Sequence, residues 1–438
     1  MTPDSPTAPD CPTSAPIAAA VVGLGPAGRI AAHCAAARGW QVTAFDPAGG
    51  TLPSTIGLWA HQIPQWAPSG LVAASFFPAV MLADGSSVRL DKEYAVVNNA
   101  VLANLGGFEV QRKLASPEDV TADIIIETTG HSAAASGPGG QARQLAIGHV
   151  FDTADLPSAA REPVLMDFRQ APRQSHMDGR DCKVAGVGDT GRDCGGNAPA
   201  SFSYRIPLGS GRFLIEETIL ATPVPLSEGV ADDSALLALL RQRQEWRLKS
   251  LGVDPATAIE EEVVSFPLLR RNKARARVGA SATPTTETHV PFGFAGGWMH
   301  PATGYSVGPV LEDVGRFLSA LEATAQGRGV ASARGRRWRL RWHGGRVAVA
   351  PAGGALTLAL RERGLAALLR FDAEGTTEFF AAFFSLRQRD VFAYLTGASP
   401  LATLRAMASV AAPLARRNPK LLARLIRGFA AGVGQWRG

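Results

Sequence analysis

The chain has 438 residues, 46% of them apolar and 19% charged, with four cysteines and a formal charge of +6. That balance excludes a disordered chain and leaves room for two or three domains or one large α/β enzyme. Cys11, Cys34, Cys182 and Cys194 are too scattered for a disulfide framework or a zinc site, so no metal is expected and a reducing cytoplasm fits. No apolar run reaches the roughly 20 residues of a membrane-spanning helix.

Residues 1–16 are rich in Pro, Thr and Ser without a basic segment, and read as a disordered leader rather than a signal peptide. From Ala18 an apolar run predicts a strand buried on both faces. It leads into Gly23, Gly25 and Gly28 in the G-x-G-x-x-G spacing, with Pro26 and Ala27 inside the turn. Gly23 permits a tight turn, Gly25 leaves room for a pyrophosphate, and Gly28 lets helix and strand pack closely. An Ala-rich helix over 29–37 follows, whose N-terminus offers free N–H groups and a partial positive charge. A second β-branched run over 41–45 ends at Asp46, spaced to accept hydrogen bonds from a ribose. Strand, helix, strand and acid in register predict a dinucleotide site, and the N-terminal position favours FAD over a loosely held NAD.

Residues 51–66 hold Pro53, Gly57 and Pro64 with Trp59 and Trp66, which reads as a lining loop whose indoles need an apolar wall. Plain packing is the rival reading, and the lone His61 reads as structural. Strands are expected at 79–82, 87–90, 94–97 and 123–127, the last opening onto Thr128, Thr129 and Gly130, small residues suited to a backbone contact with a nucleotide. A flexible loop over 131–140 precedes an apolar run over 141–150. Residues 164–169 read as a strand ending in an ion-pair candidate, and 172–199 as a long polar insertion.

The stretch 201–220 predicts a hairpin around Gly209-Ser210-Gly211, with Glu216 and Glu217 inside its apolar second strand. Neighbouring strand residues face opposite ways, so only one of the two can look into a given pocket. A buried carboxyl is raised in pKa, as a proton donor near neutral pH requires; a salt bridge to Arg205 or Arg212 is the alternative. A charged amphipathic helix is expected over 231–253. Next, His300-Pro301-Ala302-Thr303-Gly304-Tyr305-Ser306 feeds a helix from about Gly308, a second candidate anion- or flavin-facing site. His300 suits stacking or a backbone bond better than acid catalysis. At the far end, 418–430 carries Leu421, Leu422, Leu425, Ile426 and Phe429 opposite basic residues. Such a helix can lie in a membrane interface, whereas no stacking or groove-reading motif supports nucleic acid.

These motifs together resemble the flavoprotein lycopene cyclases of carotenoid synthesis, of the single-chain bacterial and plant β-cyclase type. The likeness runs through the N-terminal GLGPAG, Gln144-x-Ala146-x-Gly148, Met166-Asp-Phe-Arg169, Phe213-Leu-Ile-Glu-Glu-Thr218 (the family's F-L-E-E-T), the 300–306 motif and Phe379-Phe-Ala-Ala-Phe-Phe384. It implies an α/β fold: an FAD-binding Rossmann-like domain of the glutathione-reductase and aromatic-hydroxylase type, an interleaved β-sheet substrate domain and a helical C-terminal region. The expected division is 17–165 with 290–330 for FAD, 166–289 for substrate, and 331–438 for a basic, membrane-facing region. The resemblance further implies reduced FAD at Gly23, Gly25, Pro26, Ala27, Gly28, Asp46, Gly130 and the His300–Tyr305 loop, with NAD(P)H as electron donor. Lycopene would be cyclised at its ψ-ends, with Glu216 as proton donor supported by Glu217, on the cytoplasmic face of the membrane. One departure stands out: members commonly carry an acidic pair after the tryptophan at Trp59, where this chain has Ala60, His61 and Gln62.

Overall fold

The computed structural model describes residues 16–130, 134, 136, 140–169, 198–270, 288–325, 338–343, 346–351 and 354–432. The expected leader, nearly all of the 172–199 insertion and most of the 131–140 loop lie outside the described residues.

Two seven-stranded sheets carry the fold. In the first, Ala18–Val22 lies between Gln41–Phe45 and Ile124–Glu127, all parallel, and Thr288–Pro291 continues the parallel order beyond Ile124–Glu127. Trp338–His343 and Arg346–Pro351 close that edge as an antiparallel pair. Helix Pro26–Ala36 packs on helix Val307–Ala325, and Val21, Ile30, Val310 and Phe317 are fully enclosed in the core they share with the sheet. Proline at the first helical position and alanines along the contact face suit this close approach.

The second sheet is mostly antiparallel, running Glu260–Pro267, Gln141–Asp152, Arg212–Val224, Phe202–Gly209, Val164–Asp167, Ala79–Met81 and Ser87–Arg89. The expected hairpin forms between Phe202–Gly209 and Arg212–Val224, with left-handed φ at Gly209, Ser210 and Gly211. Residues before 165 therefore supply strands to both sheets. Gly57–Trp59 is a strand paired with Tyr94–Val97, so the predicted lining loop is partly extended structure, and Trp66 stands exposed.

One face of the second sheet is covered by helix Ser234–Ser250 through Leu240 and Leu248. The other meets the C-terminal helices, where Trp59, Phe168, Phe202, Phe380, Phe383 and Phe392 share one core. This is an α/β fold with a Rossmann-like parallel sheet, a second β-sheet layer and a helical C-terminal region.

Candidate active site

The glycine turn is built as its spacing predicts. Gly23 has φ +95°, and Thr128 Oγ1 donates to the carbonyls of Val22 (3.0 Å) and Gly23 (2.6 Å), fixing the turn from the neighbouring strand. A Cβ on Gly28 would fall 2.0 Å from the Gly23 carbonyl oxygen, whereas one on Gly25 would meet nothing within 4 Å. The open side of Gly25, at the N-terminus of helix Pro26–Ala36, is the kind of space a diphosphate occupies. Asp46 accepts the backbone N–H of Leu24 (2.9 Å), Ala48 (2.9 Å) and Gly50 (3.2 Å), tying the second strand to the glycine turn. Gly130 also has open space on its Cβ side.

His300 organises the second motif from within. It is buried; its Nδ1 accepts the Ala302 N–H (3.2 Å) and its Nε2 lies 3.2 Å from the Tyr394 carbonyl. Burial, then the Arg361 charge, holds it well below the usual histidine range, so it is neutral and structural. Gly304, at φ +76°, passes so close to Phe266 and Gln144 that a Cβ would lie 2.6 Å from the phenyl ring. Among the described residues, Gln144 Oε1 is buried there without a hydrogen-bond partner. Open glycines at one end and an unsatisfied buried amide oxygen at the other fit a large polar cofactor.

Glu216 and Glu217 part company on the Arg212–Val224 strand. Glu217 faces the covering helix: Arg247 Nε sits 3.1 Å from its Oε2, and Ser201 Oγ donates to its Oε1 at 2.6 Å. Its ionic partner is therefore Arg247; Arg205 pairs with Asp167 and Arg212 with Glu260. Asp167 accepts from Arg169 and Arg205 with Arg247 nearby; burial works against its charge, but the arginines outweigh it and hold the carboxyl below its usual range. The ion pair foreseen at the end of the 164–169 strand is thus Asp167–Arg169.

Glu216 faces the opposite side, with Leu214, Thr218 and Leu220. It is 8% exposed, and Thr218 Oγ1 donates to its Oε1 at 2.6 Å. Burial first, then the charge of Glu262, push its carboxyl up to about 8. Glu262 was not singled out in the sequence, because Glu260-Glu261-Glu262 reads as a solvated charge run. In the fold only Glu262 of the three is buried.

On this side lies a cavity of about 300 Å³ with an almost wholly apolar wall, which includes Trp59, Met166, Leu220, Phe383, Leu425 and Phe429. All four phenylalanines of the 379–384 motif contribute to it, as do Ala302, Thr303 and Tyr305. Glu216 is not itself in the wall. Tyr204, its cross-strand partner, and Tyr305 are, and the Tyr305 ring lies 6.1 Å from that of Tyr94. Trp59 meets Tyr94, Tyr305 and Phe392 edge-on, with centroids 5.3, 6.3 and 4.8 Å away. Gln62, in the segment departing from the family pattern, is buried and donates to Glu312 at 3.2 Å.

A two-sheet α/β architecture with an open glycine turn, a buried carboxyl raised in pKa and an apolar aromatic cavity defines the class. Residues 106–417 match the family described as lycopene cyclase protein, and the chain belongs to that family. Among curated proteins it is similar to an uncharacterized carotenoid cyclase of Deinococcus radiodurans, 27% identical over 94% of this chain and 96% of the relative. It is also similar to the lycopene beta cyclases of Synechococcus elongatus (24%; 88% and 90% covered) and Arabidopsis thaliana (24%; 84% and 72%). Similar solved structures include pqsL, a probable FAD-dependent monooxygenase from Pseudomonas aeruginosa, 9% identical, covering 94% and 99% of the two chains at a TM-score of 0.42.

Proposed function

We propose that the protein is a lycopene β-cyclase that converts linear carotenoid ψ-ends into β-ionone rings without net oxidation or reduction. The observation that carries this reading is Glu216: a buried carboxyl that its surroundings push up to about 8, on the side of the sheet that faces an apolar, aromatic cavity. An alkene is a weak base, so its protonation needs a neutral, pre-positioned acid with water excluded.

The chemistry balances. A proton from Glu216 adds to the terminal double bond and leaves a tertiary carbocation. The neighbouring double bond attacks that cation and closes the six-membered ring. Loss of a ring proton then restores a double bond, so one proton enters and one leaves. Tyr204, opposite Glu216 on the neighbouring strand, and Tyr305 reach the cavity wall where Glu216 does not, so the proton would travel by way of their hydroxyls. The faces of Trp59 and the surrounding aromatics would stabilise the cation.

FAD would be held by Gly23, Gly25, Pro26, Ala27, Gly28 and Asp46, with Gly130 and the His300, Pro301, Ala302, Thr303, Gly304 and Tyr305 motif completing its site. When bound in its reduced form, drawing electrons from NAD(P)H, it supplies negative charge that favours both the cation and a protonated carboxyl. No helix of the described residues is long and apolar enough to cross a membrane. The cavity wall reaches Leu404 and Ile426, both exposed, beside exposed Arg405, Lys420, Arg424 and Arg427. That edge suits peripheral attachment to the anionic cytoplasmic face of a membrane, where a C40 hydrocarbon resides.

The test is expression in a lycopene-accumulating bacterium, with the purified protein examined for a flavin spectrum. Cyclisation predicts an orange-yellow product of unchanged mass. A product two mass units heavier would instead mark an isoprenoid oxidoreductase of the geranylgeranyl-reductase type. Unaltered lycopene bound to folded protein would mark a carotenoid-binding relative, the reading that Ala60, His61 and Gln62 after Trp59 would then explain.

A further inference from the structure

Gly148 lies at the centre of three strands, directly opposite Glu216 on one side and Glu262 on the other. Residues directly opposite one another across a sheet project from the same face, so the two carboxyls leave the sheet together with only a glycine between them. A Cβ on Gly148 would lie 2.8 Å from the Leu214 Cδ1 and 3.2 and 3.3 Å from the Glu216 Cβ and Cγ, so Leu214 and Glu216 share the space the missing side chain leaves. Both carboxyls are buried, and neither forms a salt bridge among the described residues.

Their hydrogen bonds are unequal. Glu262 receives two donors from one residue, the Thr55 N–H on Oε1 at 2.6 Å and the Thr55 hydroxyl on Oε2 at 2.7 Å. Among the described residues, Glu216 receives only the Thr218 hydroxyl. Of two adjacent carboxyls that cannot both ionise cheaply, the better-solvated one keeps the charge and the other keeps the proton.

We propose that Glu262 is a positioning residue: a negative charge anchored by Thr55 that holds the proton on Glu216 across the gap at Gly148. This rests on Glu216 as the proton source. The other groups facing Glu216 are the phenols of Tyr204 and Tyr94, both neutral, while Glu217 repels it from the far side of the strand. Glu262 is itself raised by burial, against the pull of the Thr55 bonds and with repulsion from Glu260. Thr55 follows the turn at Gly49 and Gly50, whose carbonyls Arg29 holds from the first helix, so the acid pair is fastened to the nucleotide-type turn.

The test is an infrared titration of the purified full-length protein, following the protonated-carboxyl stretch that disappears in Glu216→Gln. The wild-type band should titrate near the value of about 8 given by its surroundings. Glu262→Gln should lower that midpoint by about one unit or more, and Glu262→Asp, which keeps the charge, should largely restore it. Thr55→Val is the milder variant and should move the midpoint the same way by less. An unchanged midpoint in folded Glu262→Gln, or in Thr55→Val should the first fail to fold, would overturn the proposal. The readout does not depend on cyclisation. A shifted titration in a protein without cyclase activity would support the pair and sink only the functional reading on which its role depends.

Discussion

Glu216 and Glu217 are consecutive in the chain and chemically identical, yet the two faces of one strand make them opposites. Glu217 meets Arg247 and Ser201 and behaves as half of a buried ion pair. Glu216 meets Thr218 and the Glu262 charge among tyrosines and apolar side chains, and burial with that charge pushes its carboxyl up to about 8. The difference arises from alternation along the strand together with what each face packs against. A helix that carries Arg243 and Arg247 covers one side, and an aromatic cavity the other. The face thus sets what each carboxyl meets, and a sequence motif of two glutamates places one beside an arginine and the other beside a second carboxyl.

The largest expected effect separates the two in turnover. Glu216→Gln keeps the shape and removes the proton, so it should lower cyclisation by about 10²–10⁴-fold while carotenoid still binds. Glu217→Gln should cost less than about tenfold once activity is corrected for folded protein. Comparable losses in both variants, measured as product per folded enzyme, would break the distinction.

The next effect is on stability and belongs to the Glu217 face. Arg247→Leu leaves Glu217 buried without its cation and removes one of the arginines around Asp167. Stranding a buried charge costs about 3–5 kcal/mol, which a denaturant or thermal midpoint would register. The Glu216 titration should survive in whatever fraction folds. A change in midpoint within error of zero would mean that the Arg247 pair offsets only its own desolvation, leaving Glu217 free to take another role.

How much of this was legible depends on sequence range. The glycine turn was, because strand, Gly23, Gly25, Gly28, helix and Asp46 are contiguous and each has a local backbone reason. The division between Glu216 and Glu217 was legible as alternation but not as a choice of face, since the covering helix and the cavity come from elsewhere in the chain. Glu262 was not legible. Its partnership needs the register Glu216–Gly148–Glu262 across three strands, one with an irregularity between Arg143 and Leu145 that no local pattern announces. Trp59 and Trp66 look alike in composition, but only Trp59 falls on a strand with Tyr94 opposite it, and only Trp59 is buried. The C-terminal basic amphipathic helix was readable as a helix with two faces, whereas the placing of its apolar face in the cavity wall needed the packing of the other C-terminal helices.

The smallest effect has a sign that distinguishes the two glutamates at equilibrium, without any substrate. The Glu216 carboxyl is raised from 4.5 in the unfolded chain to about 8 in the fold. Between those values the folded state binds more protons than the unfolded state, so its contribution to stability is complete below pH 4.5 and declines as the pH rises. The decline ends once pH passes about 8, where the group ionises in both states. Glu216→Gln has no such group and escapes the decline. Its melting temperature should therefore gain on the wild type as the pH is raised across this window, by on the order of a few degrees, and then level off. Contributions from Asp167 and His300, whose surroundings do not include Glu216, are common to both proteins and cancel in the difference. Glu217→Gln should instead melt below the wild type, because Arg247 is left buried beside a neutral amide. Parallel melting curves for Glu216→Gln and wild type across this range would mean that Glu216 is ionised in the fold like its neighbour. The two faces would then no longer assign the proton.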